Sequence, residues 1–154
     1  INKYGNLMII QTFSKAFGLA GLRLGYIISN EVNIKNISKA ASKYDVNSAA
    51  IIAASAALDD VEYVKRYAKE VKESKKLVYD ELKKLNIKAY PSSANFLLAC
   101  FGKKSKEIQD KLKEKGILVR DRSNYPLLKG CIRNTIGTRE QTRFFIKCLR
   151  EVLQ

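Results

Sequence analysis

The sequence contains no histidine. That excludes Ser–His and Cys–His catalytic pairs and histidine metal sites within the chain. Acid–base chemistry is left to lysine, tyrosine, cysteine or carboxylates. Cysteine is scarce: Cys100, Cys131 and Cys148 lie far apart and match no metal or redox spacing. Each sits in an apolar run, so buried free thiols and a reducing, cytoplasmic setting are expected. No uninterrupted apolar run approaches the roughly 20 residues of a membrane-spanning helix, and no signal-peptide pattern stands out. Acidic residues are also short in number, 15 against 29 Lys and Arg, for a formal charge of +14.

Such a surplus raises the question of nucleic acid. Its distribution argues for a solvated surface instead. Lys65, Arg66, Lys69, Lys72, Lys75, Lys76, Lys83 and Lys84 share one helical stretch with Glu62, Glu70, Glu73, Asp80 and Glu81. Mixed charges at helical spacing mark an exposed helix face, and no basic arm or nucleic-acid motif accompanies them. Neither a nucleic-acid nor a membrane partner is expected.

What is present suits a packed protein. Of the 154 residues, 46% are hydrophobic, near the globular norm. The length allows one medium domain or two small ones. The chain starts at Ile1 with its strongest motif close behind, as expected for the C-terminal part of a longer protein. Leu7–Ile10 and Leu22–Ser29 read as strands. Asn33 is placed to cap a helix reaching about Ser42, and Asn47 or Ser48 to cap an Ala-rich helix to about Leu58. The lack of charge in that second helix predicts burial on most sides. Asp59 or Asp60 starts a long helix with Val61, Val64, Ala68, Val71, Val78, Leu82 and Leu85 at helical spacing. Asn86 weakens it and Pro91 bars its continuation. Tyr90–Ser93 is the candidate subdomain boundary.

Beyond it, Asn95–Phe101 reads as a strand, and Ser105 as the cap of a short helix ending before Gly116. Ile117–Val119 and Cys131–Ile136 read as strands around a polar loop. Thr138 with Gln141 forms a capping box for a last helix facing inward through Phe144, Phe145, Cys148, Leu149 and Val152. Strands mixed with helices indicate an α/β or α+β class.

The run Thr12-Phe13-Ser14-Lys15-Ala16-Phe17-Gly18-Leu19-Ala20-Gly21-Leu22-Arg23-Leu24-Gly25-Tyr26 holds one lysine in a glycine-punctuated loop between two strands. A free lysine amine, with a pKa of about 10.4, is a poor nucleophile at neutral pH. Bonded in advance to an aldehyde, it exchanges with an incoming amine and is then placed to move a proton at the substrate α-carbon. Thr12, Ser14 and Arg23 supply two hydroxyls and a guanidinium for a nearby dianion. Pyridoxal 5′-phosphate carries both the aldehyde and the phosphate, and its ring serves as the electron sink.

The serine directly before Lys15, the arginine eight positions after it and the closing Gly25-Tyr26 pair resemble the active-site segment of fold-type I pyridoxal-phosphate enzymes, the aspartate aminotransferase superfamily. Tyr44-Asp45-Val46-Asn47-Ser48, Ser93-Ala94-Asn95-Phe96 and Arg133-Asn134-Thr135-Ile136-Gly137-Thr138-Arg139-Glu140 extend the likeness toward the histidinol-phosphate aminotransferases. The resemblance implies an α/β chain: residues 1–87 as the end of the large cofactor-binding domain with the interdomain helix, and residues 88–154 as a small α+β C-terminal domain.

It further implies that Lys15 is the Schiff-base lysine, with Thr12, Ser14 and Arg23 holding the cofactor phosphate. Arg133 and Arg120 would bind anionic groups of the substrate, with Asn95 as a further site contact; the loop Arg122-Ser123-Asn124-Tyr125 departs from the family pattern, and Arg122 on it is a rival to Arg120. The implied reaction is transamination between histidinol phosphate and 2-oxoglutarate in a homodimer. The acidic partner of the pyridine nitrogen and the ring-stacking aromatic would come from earlier in the longer protein, so this fragment alone is expected to be inactive. A decarboxylase of a phosphorylated amino acid, such as threonine phosphate, would use the same lysine. A non-catalytic basic binding module would not require Ser14, Lys15 and Arg23 at these offsets.

Overall fold

The structure, a computed structural model, describes residues 1, 3–42 and 44–154. Its elements are β1 (Ile9–Thr12), β2 (Gly25–Ile28), α1 (Glu31–Ser38), α2 (Ser48–Asp59), α3 (Val61–Lys84), β3 (Lys88–Tyr90), β4 (Phe96–Cys100), α4 (Ser105–Glu114), β5 (Arg120–Asp121), β6 (Cys131–Thr135) and α5 (Arg139–Leu153). The chain divides into two compact units, residues 1–67 and 68–154, the division falling inside α3.

In the first unit β1 and β2 pair antiparallel, from Ile9 opposite Ile28 to Thr12 opposite Gly25. The first strand therefore starts and ends two residues later than the apolar run Leu7–Ile10 indicated: pairing with β2, not hydropathy, sets its limits. The following helix is capped by Asn30 rather than Asn33. The Asn30 side chain accepts the Asn33 N–H at 2.9 Å, while the Asn33 amide donates to Gly5 O and Ser29 Oγ. Asn47 caps α2 by accepting the Ala50 N–H at 2.8 Å. Burial of α2 on most sides does not hold. Only Ala50 and Ala54 are buried, and Ile51, Ile52 and Leu58 are each more than half exposed.

The second unit is a four-stranded antiparallel sheet in the order β3-β4-β6-β5. Leu97 and Ala99 of β4 and Ile132 and Asn134 of β6 face Val78 and Leu82 of α3, Leu112 of α4 and Phe145 of α5 across the core. Strand alternation sends Phe96, Leu98, Cys100, Cys131 and Arg133 to the other face. Two helices end in the same way. At Asn86 (φ 56°) and Gly116 (φ 78°) the backbone turns left-handed, and the next N–H reaches back five residues, from Ile87 to Leu82 O and from Ile117 to Leu112 O. That closure uses Ile117, so Ile117–Val119 is not a strand, and pairing with β6 begins only at Arg120. Ser105 is not a cap either. It is the first helical residue of α4, buried and without a capping bond, after a tight turn at 102–104.

The capping box holds: Thr138 Oγ1 accepts the Gln141 N–H at 3.2 Å, and Gln141 Oε1 accepts the Thr138 N–H at 3.0 Å. On α5, Phe145, Cys148, Leu149 and Val152 are buried as expected, but Phe144 is half exposed and Thr142 takes an inward place. The two cysteines expected as free thiols are paired. Cys100 and Cys131 stand directly opposite each other on β4 and β6, with Cα atoms 4.0 Å apart, and form a disulfide. The flanking Phe101 N–H bonds to Gly130 O, so the cysteines occupy a non-hydrogen-bonded pair, where facing side chains come closest. Cys148 alone is a buried free thiol. Among the described residues no helix is long and apolar enough to cross a membrane.

Candidate active site

The lysine loop is built on the end of the β1–β2 hairpin. Phe13 is its anchor, 5% exposed, with the rings of Phe17 at 4.7 Å and Tyr26 at 5.8 Å. The Leu19 N–H donates to Phe13 O at 3.0 Å and closes the loop, and the Gly18 N–H donates to Lys15 O at 3.1 Å within it. Gly18 sits at φ +71°, a conformation that disfavours a side chain. Opposite Thr12, a Cβ on Gly25 would lie 2.7 Å from the backbone oxygen of Gln11, so only glycine fits the hairpin there.

Thr12, Ser14 and Arg23 come together. They line one open cleft of about 270 Å³, with Ile10, Gln11 and Tyr26 among its other walls. Thr12 Oγ1 lies 2.8 Å from Ser14 Oγ and accepts the Ser14 N–H at 3.1 Å, a turn closed by a side chain. Arg23 adopts a left-handed backbone (φ 55°) and donates one Nη1 bond to Ala20 O at 3.2 Å. Among the described residues it has no carboxylate partner. Two neighbouring hydroxyls and an unneutralised guanidinium on one cleft fit an anionic group. Lys15 is exposed on the turn beside this cleft and is not one of its walls.

The remaining expected residues lie in the second unit. Arg120 and Arg133 are direct cross-strand partners on β5 and β6, so their side chains share a sheet face. Arg133 is half-buried, its guanidinium 5.2 Å from the Phe96 ring centre, and its Nε is buried with no hydrogen-bond partner. Like charges directly opposite are unfavourable, and no carboxylate among the described residues offsets them. Asp121, between them in sequence, faces the other way. It accepts the Ser123 N–H at 2.9 Å and hydroxyl at 2.6 Å, which hold its carboxyl below the usual range. Asn95 contributes through its backbone, where its carbonyl accepts the Ile136 N–H at 2.9 Å and prolongs the β4–β6 ladder.

The profile of the family described as aminotransferase class I and II matches residues 1–149. The chain belongs to that family. The histidinol-phosphate aminotransferase of Sulfurisphaera tokodaii is 37% identical over 154 residues, which cover all of this chain and 41% of that protein. A solved histidinol-phosphate aminotransferase from Sinorhizobium meliloti, in complex with pyridoxal 5′-phosphate, superposes with a TM-score of 0.83 at 28% identity. It covers 97% of this chain and 41% of that one. The L-threonine-O-3-phosphate decarboxylase of Porphyromonas gingivalis gives 0.78 at 28% identity, covering 99% of this chain and 48% of that one. This chain thus spans less than half the length of these relatives, and its fold is part of their α/β fold.

Two contributions escaped the sequence reading. Gln11 and Tyr26, cross-strand partners, also wall the cleft; strand alternation places them on the face opposite Thr12, so the pleat offered no signal for them. Asn47, beyond capping α2, donates from Nδ2 to Leu22 O at 3.3 Å and ties that helix to the short turn at 20–22 that follows the lysine. Nothing in its sequence context distinguishes this second bond from ordinary capping.

Proposed function

We propose that the longer protein of which this chain is part is a pyridoxal-phosphate-dependent aminotransferase acting on histidinol phosphate and 2-oxoglutarate. The observation that carries the reading is the cleft at the hairpin end, where Thr12, Ser14 and Arg23 meet beside Lys15. Thr12, Ser14 and Arg23 would hold the phosphate of pyridoxal phosphate: hydroxyls donate single bonds, and the guanidinium offers a two-pronged one. Bound there, the cofactor supplies an electron sink for the substrate α-carbon. Lys15 would anchor it and move a proton at that carbon. Its exposure on the turn leaves the amine free to reach a bound molecule. Arg120 and Arg133 would grip anionic substrate groups. Residues 1–87 would end the large domain, residues 88–154 would form the small one, and the working form would be a homodimer.

Membership of the aminotransferase family and the named relatives support this reading over a non-catalytic basic module. The test is Lys15→Ala in the full-length protein. Transamination of histidinol phosphate should fall by at least about 10²–10⁴-fold, the usual worth of a positioned proton-transfer group; unchanged turnover would end the proposal. A second reading, decarboxylation of a phosphorylated amino acid, is favoured by the likeness to the Porphyromonas gingivalis enzyme. Release of carbon dioxide instead of keto-acid formation would select it.

A further inference from the structure

We infer that Arg122, held by Tyr125, is a third guanidinium of the substrate-anion site and selects a phosphate monoester over a carboxylate. The inference rests on the placement of substrate anions at Arg120 and Arg133. The Arg122 N–H donates to Cys131 O at 2.9 Å, which carries the β5–β6 register one residue past the strand. Alternation then returns Arg122 to the face that carries Arg120 and Arg133. Its guanidinium lies 5.2 Å from the centre of the Tyr125 ring, and Nη1 donates to the Tyr125 hydroxyl at 3.2 Å. The tyrosine thus fixes the group from a turn closed by the Tyr125 N–H on Arg122 O. Across the sheet, Lys88 is the partner of Cys100 and shares this face.

The charge count argues for the ligand. Three guanidiniums occupy neighbouring positions, and no carboxylate among the described residues pairs with any of them. Asp121, the acid nearest in sequence, is on the opposite face and engaged by Ser123. A carboxylate brings one charge and two oxygens, which a single guanidinium fork satisfies. A phosphate monoester brings up to two charges and three free oxygens near neutral pH, enough acceptors for more than one fork. Arg120 and Arg133 stand directly opposite each other. Arg122, a pleat further along β5, widens the donor set beyond what one carboxylate can fill.

The test uses the full-length protein saturated with its cofactor. Binding of inorganic phosphate is measured by calorimetry for wild type, Arg122→Gln, Arg122→Lys and Tyr125→Phe. In parallel, KM is measured for histidinol phosphate and for histidinol. Arg122→Gln should weaken phosphate binding about tenfold, the scale of one charge-assisted bond, and should lower the KM preference for the phosphorylated donor by a similar factor. Arg122→Lys, which keeps the charge without the fork, should fall between. Tyr125→Phe should cause a smaller loss, because ring stacking persists. Unaltered phosphate affinity in Arg122→Gln overturns the inference, as does an equal change in KM for both donors. If phosphate binding weakens as expected but wild type transaminates neither donor, the third guanidinium stands and the aminotransferase reading falls.

Discussion

Glu81 on α3 is 6% exposed and receives both Nε and Nη2 of Arg150 from α5, the Nη2 contact at 2.7 Å. The hydrogen bonds from Arg150, opposed by burial and aided by its charge, hold the Glu81 carboxyl below its ordinary value. A carboxyl whose folded pKa is depressed contributes stability that is complete above its unfolded value of about 4.3 and is lost as the pH falls through the folded one. Glu81→Gln should therefore lower the melting temperature at pH 7, and the difference from wild type should shrink in acid below about pH 4. Thermal unfolding followed by circular dichroism at both pH values checks this; a gap that persists in acid would count against it. At this scale the sequence was most informative where one short segment carries the chemistry. Thr12, Ser14 and Arg23 do meet, because the ten positions between Thr12 and Arg23 close into a hairpin end. The Cys100–Cys131 bond depends on the register of two strands 31 positions apart, which no single short segment displays, and the stack of Arg122 on Tyr125 depends on how the turn between them closes.

Among the elements, helices with a strong apolar stripe were legible and their ends less so. Val71, Val78 and Leu82 of α3 are buried as their spacing predicts, but Val61 and Ala68 are exposed and Ser74 and Glu81 take inward places; the capping box of α5 follows from spacing alone. Asn30 rather than Asn33 as a cap, and the loss of Ile117–Val119 to a helix-ending turn, follow from competition among neighbouring hydrogen bonds. Two predictions belong here. Thr138→Ala removes the acceptor for the Gln141 N–H and should cost about 1 kcal/mol in urea unfolding. Gly25→Ala meets a backbone oxygen at 2.7 Å, which cannot move away without opening the hairpin. In the full-length protein it should abolish cofactor retention on gel filtration, while Gly5→Ala, with nothing within 4 Å, should not.

As a whole molecule, the chain exposes apolar side chains that a self-sufficient surface rarely leaves bare. Ile10 is 75% and Ile52 71% exposed, and Ile27, Ile28, Ile51 and Leu58 of the first unit are exposed as well. Bare apolar side chains in such number mark surfaces that meet other protein, and among the described residues the hairpin has two unpaired edges. The isolated chain should self-associate at micromolar concentration, and light scattering that shows a clean monomer would contradict this. The composition made such an outcome visible only in part, since an Ala-rich helix reads the same whether its cover lies within the chain or outside it.

The covalent link between the central strands carries a practical consequence. It ties residues 31 positions apart, and closing a loop of that size is worth up to about 3–4 kcal/mol by chain-entropy reasoning. Preparations made with and without dithiothreitol should then denature at different urea concentrations although they contain the same polypeptide. Any laboratory comparing variants has to match the redox history of its samples first.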